Sequence, residues 1–155
     1  MTAPAAAKAE QARDNFFEGC NCCQAVLLAF APECGLERDT ALRLGSSFGG
    51  GFGRMRELCG AVSAAGMVLG MLRGYTELTD KSFKQQHYRR IQEFCRRFSE
   101  VRGCLRCGDL LEGLPDAKGL DPADRTAAYY AERPCAGICY DAAGILAGML
   151  AEDDT

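Results

Sequence analysis

The stretch DKSFKQQHYRRIQEFCRRFSEV, residues 80–101, decides the fold class. Phe83, His87 and Tyr88, Ile91, Phe94 and Cys95, Phe98 and Val101 recur every three or four residues, the spacing of one face of an α-helix. Arg89, Arg90, Glu93, Arg96, Arg97 and Glu100 fill the other face. Outward from this segment Ala, Leu, Met, Glu and Arg dominate, and no run alternates β-branched residues as a strand would. Helices are expected at 4–18, where Pro4 suits the start and Gly19 the stop, and at 21–31 with Asn21 as N-cap. Further helices are expected at 38–47, 58–72, 80–101, 104–111, 124–132 and 135–151, with a Gly-, Pro- and Asp-containing loop at 111–122. The chain reads as all-α, a single-domain bundle of about six to eight helices with a Gly-rich loop.

A length of 155 residues fits one domain, and a chain of this size buries about two-thirds of its unfolded surface without needing disulfides. Forty-eight per cent apolar and 25% charged residues describe a globular protein rather than a disordered or fibrous one. The net charge of −3 leaves no general attraction to nucleic acid. The N-terminal residues lack the basic start and apolar core of a secretory signal. The longest uncharged run, 58–72, falls short of the roughly 20 apolar residues of a membrane span. A cytoplasmic location with no membrane partner is therefore expected. In that compartment thiols stay reduced, so ten cysteines point to metal binding or redox chemistry rather than to a disulfide framework.

Those cysteines are Cys20, Cys22 and Cys23, Cys34, Cys59, Cys95, Cys104 and Cys107, and Cys135 and Cys139. Cys104 and Cys107 form a C-x-x-C, able to share a metal or to exchange as dithiol and disulfide. Cys135 and Cys139 share a helix face. Cys22 and Cys59 open helices, where the backbone dipole favours thiolate. Cys34 and Cys95, alone in apolar surroundings, read as packing residues. The Gly-rich loop at 45–53 has neither the Lys-Ser/Thr of a P-loop nor the preceding strand of a dinucleotide fold. It reads instead as a place of close backbone approach, or as a set of N–H groups facing a cluster's sulfurs or an anion. Gly66, Gly70 and Gly74 leave one helix face bare, which makes close helix packing or a homodimer expected. His87, the single histidine, excludes a His-rich metal site. Residues 80–106 carry eight basic and three acidic side chains, read as a solvated face or, alternatively, as a dock for an acidic redox partner protein.

Three motifs in order carry a family resemblance: Asn21-Cys-Cys-Gln-Ala-Val-Leu27, Phe48-Gly-Gly-Gly-Phe-Gly53 and Cys59-Gly-Ala-Val-Ser63. Cys107-Gly-Asp-Leu-Leu111 and Cys135 ahead of Asp141-Ala-Ala143 complete them. Together they resemble the redox-active family named for its C-GCAxxG-C-C cysteine pattern. The chain departs from that pattern at Cys23, where the family usually has Ala, and at Ala64, where Gly is common. The resemblance implies a small helical protein whose characteristic cysteines are Cys22, Cys59, Cys107 and Cys135; the reading of the Gly-rich loop adds Gly49, Gly50, Gly51, Gly53 and Gly60 as residues expected to face a cofactor. The resemblance assigns 14–151 to the family core, 1–13 to an N-terminal helix extension and 152–155 to a frayed tail. The family is also similar to the protein portion of split-Soret cytochromes, which are dimeric and carry haem. Gly108 after Cys107 removes the C-x-x-C-H motif, so covalent haem is not expected.

Three functions are consistent with these residues. The first is electron transfer or redox sensing through an iron–sulfur or other thiolate-bound metal centre on Cys22, Cys59, Cys107 and Cys135. The second is metal-free thiol–disulfide exchange by Cys104 and Cys107 or by pairs among the four. The third is a structural zinc site with four cysteine ligands in an interaction module.

Overall fold

A computed structural model describes residues 1–114 and 117–155. The loop expected at 111–122 includes Pro115 and Asp116, which lie outside the described residues. Eight α-helices follow one another: α1 (Ala3–Phe17), α2 (Cys22–Ala29), α3 (Arg38–Gly45), α4 (Gly60–Arg73), α5 (Lys81–Arg102), α6 (Cys107–Leu110), α7 (Ala127–Glu132) and α8 (Cys135–Asp153). A 3-10 turn, Ser46–Phe48, extends α3. No β-strand occurs among the described residues, where Leu58 and Arg106 form an isolated antiparallel bridge. The all-α reading holds.

α8 is the central element, packed against α1, α2, α4 and α5. It is apolar on every side, with Ile138, Cys139, Ala142, Ala143 and Leu146 fully or almost fully buried. By length and composition it is apolar enough to cross a membrane; here half of that span is buried within the protein. α1 closes on it through Ala5, Ala9 and Ala12, one turn apart, and Phe16 ends the stripe. Gly144 faces Ala9 across the contact, so small residues set the distance between these two helices. Within residues 1–13, Ala5, Ala9 and Ala12 are thus seated in the core. Phe30, Phe94, Phe98, Leu27 and Leu69 fill the remaining space from α2, α4 and α5.

α5 departs from the expected apolar face. Phe94 and Phe98 are buried, but Phe83, Tyr88 and Val101 are 46%, 52% and 58% exposed. Arg90 explains the first two. Its Nη1 donates to the Arg73 carbonyl at the end of α4 and its Nε to Asp153 at the end of α8. The turns of α5 before Arg90 therefore project past both helices that would cover them. His87 sits at this margin against the Tyr75 ring, its pKa held below the ordinary value by burial and by Arg90.

The tail expected to fray is instead helical through Asp153. Arg97 makes a two-pronged ion pair with Glu152 at 2.9 Å for each bond, and Arg73 pairs with Asp154 at 2.8 Å. Arg96 and Arg97 also pair with Glu93 along α5. The basic face of 80–106 is thus largely occupied by carboxylates of its own helix and of α8. The bare face of α4 stands open: a Cβ at Gly66 or Gly70 would meet nothing within 4 Å. Gly74, expected on this face, instead ends α4, and a Cβ there would strike the Gly70 carbonyl.

Replacing fully buried Phe98 by Ala should destabilise the fold by about 3–5 kcal/mol in urea titrations. Phe83→Ser, on the same helix but projecting, should stay within about 0.5 kcal/mol of the parent.

Candidate functional site

α2 begins under a capping box: Asn21 accepts from the Gln24 backbone N–H at 2.8 Å, and the Gln24 side chain accepts from the Asn21 N–H at 3.0 Å. Cys22 is therefore the first residue of a helix. Cys59 is the N-cap of α4, and Cys107 and Cys135 are the first residues of α6 and α8. These four cysteines, from four helix starts, wall one cavity of about 310 Å³. The long helices α2, α4 and α8 bring their positive ends and unpaired N–H groups to it, which favours negative charge on sulfur. Helix starts are legible in the sequence for Cys22, Cys59 and Cys135; the structure adds Cys107.

The glycines make this convergence possible. Gly49, Gly50, Gly51, Gly53 and Gly60 all lie in the cavity wall. A Cβ on Gly51 would stand 2.6 Å from the Cys107 Cβ and 2.7 Å from the Glu57 nitrogen. On Gly60 it would meet the Phe48 carbonyl at 2.7 Å and the Cys23 nitrogen at 3.0 Å. On Gly49 it would strike the Asn21 side chain. From Gly50 to Arg54 every residue has φ between 59° and 71°, and Arg56 follows at 63°. For the non-glycines Phe52, Arg54 and Arg56 this left-handed backbone costs about 1–2 kcal/mol each. The N–H groups of residues 52–57 bond to carbonyls within the loop, and Gly53 reaches Ser47 at 2.8 Å. Their role is to fold the loop rather than to face a ligand. Cys107 N–H then donates to the Glu57 carbonyl at 2.7 Å and Cys59 N–H to that of Leu105 at 2.9 Å, lacing the two cysteine segments together.

Burial sets the state of the thiols. Cys22 bonds to the thiol of Cys135, which pulls its pKa down, and to that of Cys139, which with burial leaves it well above the ordinary value. The same bond to Cys22, then burial, pushes Cys135 up, against a neighbouring Arg133. Cys59 rises to about 12 through burial, although the Ala61 and Val62 N–H groups favour its thiolate. Free of metal, burial thus favours the neutral thiol at Cys22, Cys59 and Cys135. Cys139, whose thiol also donates to the Cys22 carbonyl at 3.8 Å, stands behind the wall. Cys104 is not part of the wall, so the C-x-x-C does not present both sulfurs to the cavity. Cys34 is buried in the core and Cys95 half-buried against it.

Motif and spacing do not single out the arginines. Arg54, Arg56, Arg125 and Arg133 line the cavity, and no carboxylate does so among the described residues. Arg56 Nη1 donates to the Cys107 sulfur at 3.5 Å. Arg125 donates to the Phe16 and Cys20 carbonyls and lies over the rings of Phe16 and Tyr129. The one signal in the sequence is adjacency: Arg54 and Arg56 follow the Gly-rich loop, and Arg133 stands two residues before Cys135. Among the described residues no three Cys, His, Asp or Glu side chains gather closely enough to share one metal ion.

A family model described as "Putative redox-active protein (C_GCAxxG_C_C)" matches residues 20–149. The chain belongs to this family. The four cysteines that carry the resemblance are the four that wall the cavity. No curated protein and no solved structure matches the chain.

Gly51→Ala must push Cys107 and Glu57 apart and should cost well over the roughly 1 kcal/mol of left-handed strain alone. Gly53→Ala, with open space around it, should cost about that strain and no more, both read from urea midpoints. The thiols also predict a pH dependence. Burial raises Cys23 and Cys59 to about 12, whereas an ordinary thiol ionises near 9.0. The unfolded chain thus loses protons first, and the metal-free protein should lose stability from about pH 9 up to about pH 12. Urea titrations across that interval measure the slope.

Proposed function

We propose that this family member is a redox protein whose Cys22, Cys59, Cys107 and Cys135 hold an iron–sulfur cluster. The observation that carries the reading is the meeting of four helix-start cysteines around one cavity with arginines and no described carboxylate. A four-thiolate centre concentrates negative charge, and helix N-termini and guanidinium groups offset it. The neutral buried thiols fit as well, because metal binding displaces their protons. Sulfurs too spread to share one ion weigh against a lone zinc, which needs all four ligands at about 2.3 Å. A cluster distributes its four cysteines over several metal atoms. When bound it would supply one-electron transfer at a potential set by charge, hydrogen bonds to sulfur and solvent exposure.

The chain's own residues would do the rest. The Gly-rich loop holds Cys107 against Cys59, the α2 capping box fixes Cys22, and Phe16, Leu111, Tyr129 and Ile138 limit water in the cavity. A reducing compartment such as the cytoplasm suits such a site. We propose further that two copies meet across the open Gly66 and Gly70 face, which supports a close helix contact; sedimentation at the 16.7 kDa mass of one chain would exclude it.

One observation favours a second reading. Cys22 has a hydrogen-bonding thiol partner in Cys135, and both line the cavity, which supports disulfide formation by this pair more than by Cys104 and Cys107. Closing it would release two protons and pass two electrons to an oxidised thiol or disulfide partner.

Anaerobically prepared protein should contain iron and acid-labile sulfide and absorb in the visible. Cys59→Ser and Cys107→Ser should abolish the colour while helical circular dichroism persists, and Cys34→Ser should leave both intact. A colourless, iron-free preparation that reversibly loses two thiols with a Cys22–Cys135 linkage would select the dithiol reading instead.

A further inference from the structure

Arg56 lies in the cavity wall with a cysteine sulfur as its side-chain partner. Arg73, Arg90, Arg96, Arg97, Arg102 and Arg106 each pair with a carboxylate. Arg56 takes part in none of the described ion pairs. Its Nε donates to the Ala117 carbonyl at 2.9 Å, its Nη1 to the Cys107 sulfur at 3.5 Å, and its Nη2 is buried without an acceptor. Glu57, next in the chain, is exposed and lies 3.6 Å from Arg106 instead. A guanidinium is charged at every accessible pH, and a half-buried cation without a counter-charge is costly. Its backbone adds strain, with φ at 63°. Among the described residues, the group beside it that can carry negative charge is the Cys107 sulfur.

We infer that Arg56 is a positioning residue that tunes the redox centre: its guanidinium donates to the Cys107 sulfur, stabilises the electron-rich state and raises the midpoint potential. This rests on the proposed redox role of the cavity. Uptake of one electron from a reduced carrier adds one negative charge to a sulfur-rich centre, and that charge lies next to a cation and an N–H donor. In the dithiol reading Arg56 donates to neither Cys22 nor Cys135, so the tuning role belongs to the cluster reading. The backbone explains why the two side chains meet: Gly108 N–H donates to the Arg56 carbonyl at 3.1 Å, and Arg56 N–H to that of Gly50 at 3.0 Å. The loop thus carries Arg56 to Cys107 as a built contact.

The test compares the parent protein with Arg56→Met, Arg56→Lys and Glu57→Gln by anaerobic redox titration followed in visible absorption, with iron and sulfide measured per chain. At the parent's midpoint, Arg56→Met should shift the ratio of oxidised to reduced protein about tenfold toward oxidised, a fall of about 59 mV for a one-electron couple. Arg56→Lys should recover part of the shift, Glu57→Gln should show none, and iron content should stay level. Met and Lys meet the same left-handed strain as Arg, so the backbone cost is common to all three. Should Arg56→Met fail to fold, Arg56→Gln, which keeps an N–H donor without charge, must move the potential downward. An unchanged midpoint in a folded, iron-loaded variant overturns the inference and leaves the cluster standing. If neither the parent nor any variant holds iron, the cluster reading fails and the tuning role of Arg56 is overturned with it.

Discussion

Everything around the cavity depends on two backbone segments passing closer than side chains allow. At Gly51 the chain runs so near Cys107 that one methyl group would separate them. That approach lets the Cys107 and Gly108 N–H groups reach the carbonyls of Glu57 and Arg56, and it sets Cys59 beside the segment that carries Cys107. Gly60 repeats the device against the start of α2, which brings in Cys22 and Cys23. The fourth cysteine arrives by another route, on the first turn of the central helix. Three cysteines are thus positioned by absent side chains and one by the core itself.

The energetics of the cavity pull in opposite directions. Burial favours neutral thiols, most plainly at Cys59, while helix N-termini and arginines favour negative sulfur. Neither influence alone suits a redox site. Thiols that ionise freely would be exposed to oxidation, and thiols without nearby positive charge would resist giving up their protons to a metal. The balance between the two makes the cavity responsive to what occupies it.

Much of the fold is legible in the sequence because its signals are local. Helix periodicity, Asn21 as a cap, Asp80 before α5 and the glycines after helices all mark boundaries within a few residues of themselves. The apolar face of α5 reads too long because periodicity does not reveal where a neighbouring helix stops. The tail reads as frayed because Glu152 and Asp154 find their arginines 55 and 81 residues away in sequence. For the site, the four cysteines come from motif and resemblance. Arg56 and Arg125 escape notice because an arginine's meaning depends on which pocket it lines, and no spacing rule carries that information. The C-x-x-C misleads for the converse reason, since short spacing does not oblige both sulfurs to face the same way.

The left-handed course of residues 50–54, repeated at Arg56, has a consequence for how the chain is broken down. Two arginyl bonds, after Arg54 and Arg56, lie in a segment that is partly exposed at Phe52, Met55 and Glu57. Trypsin-like proteases read their substrates as extended strands, and this backbone is coiled in the opposite sense and tied at both ends. The bonds become cleavable only when the loop lets go of Cys107 and Cys59. Survival of that loop in a digest is thus a direct report on whether the cysteine cavity is assembled.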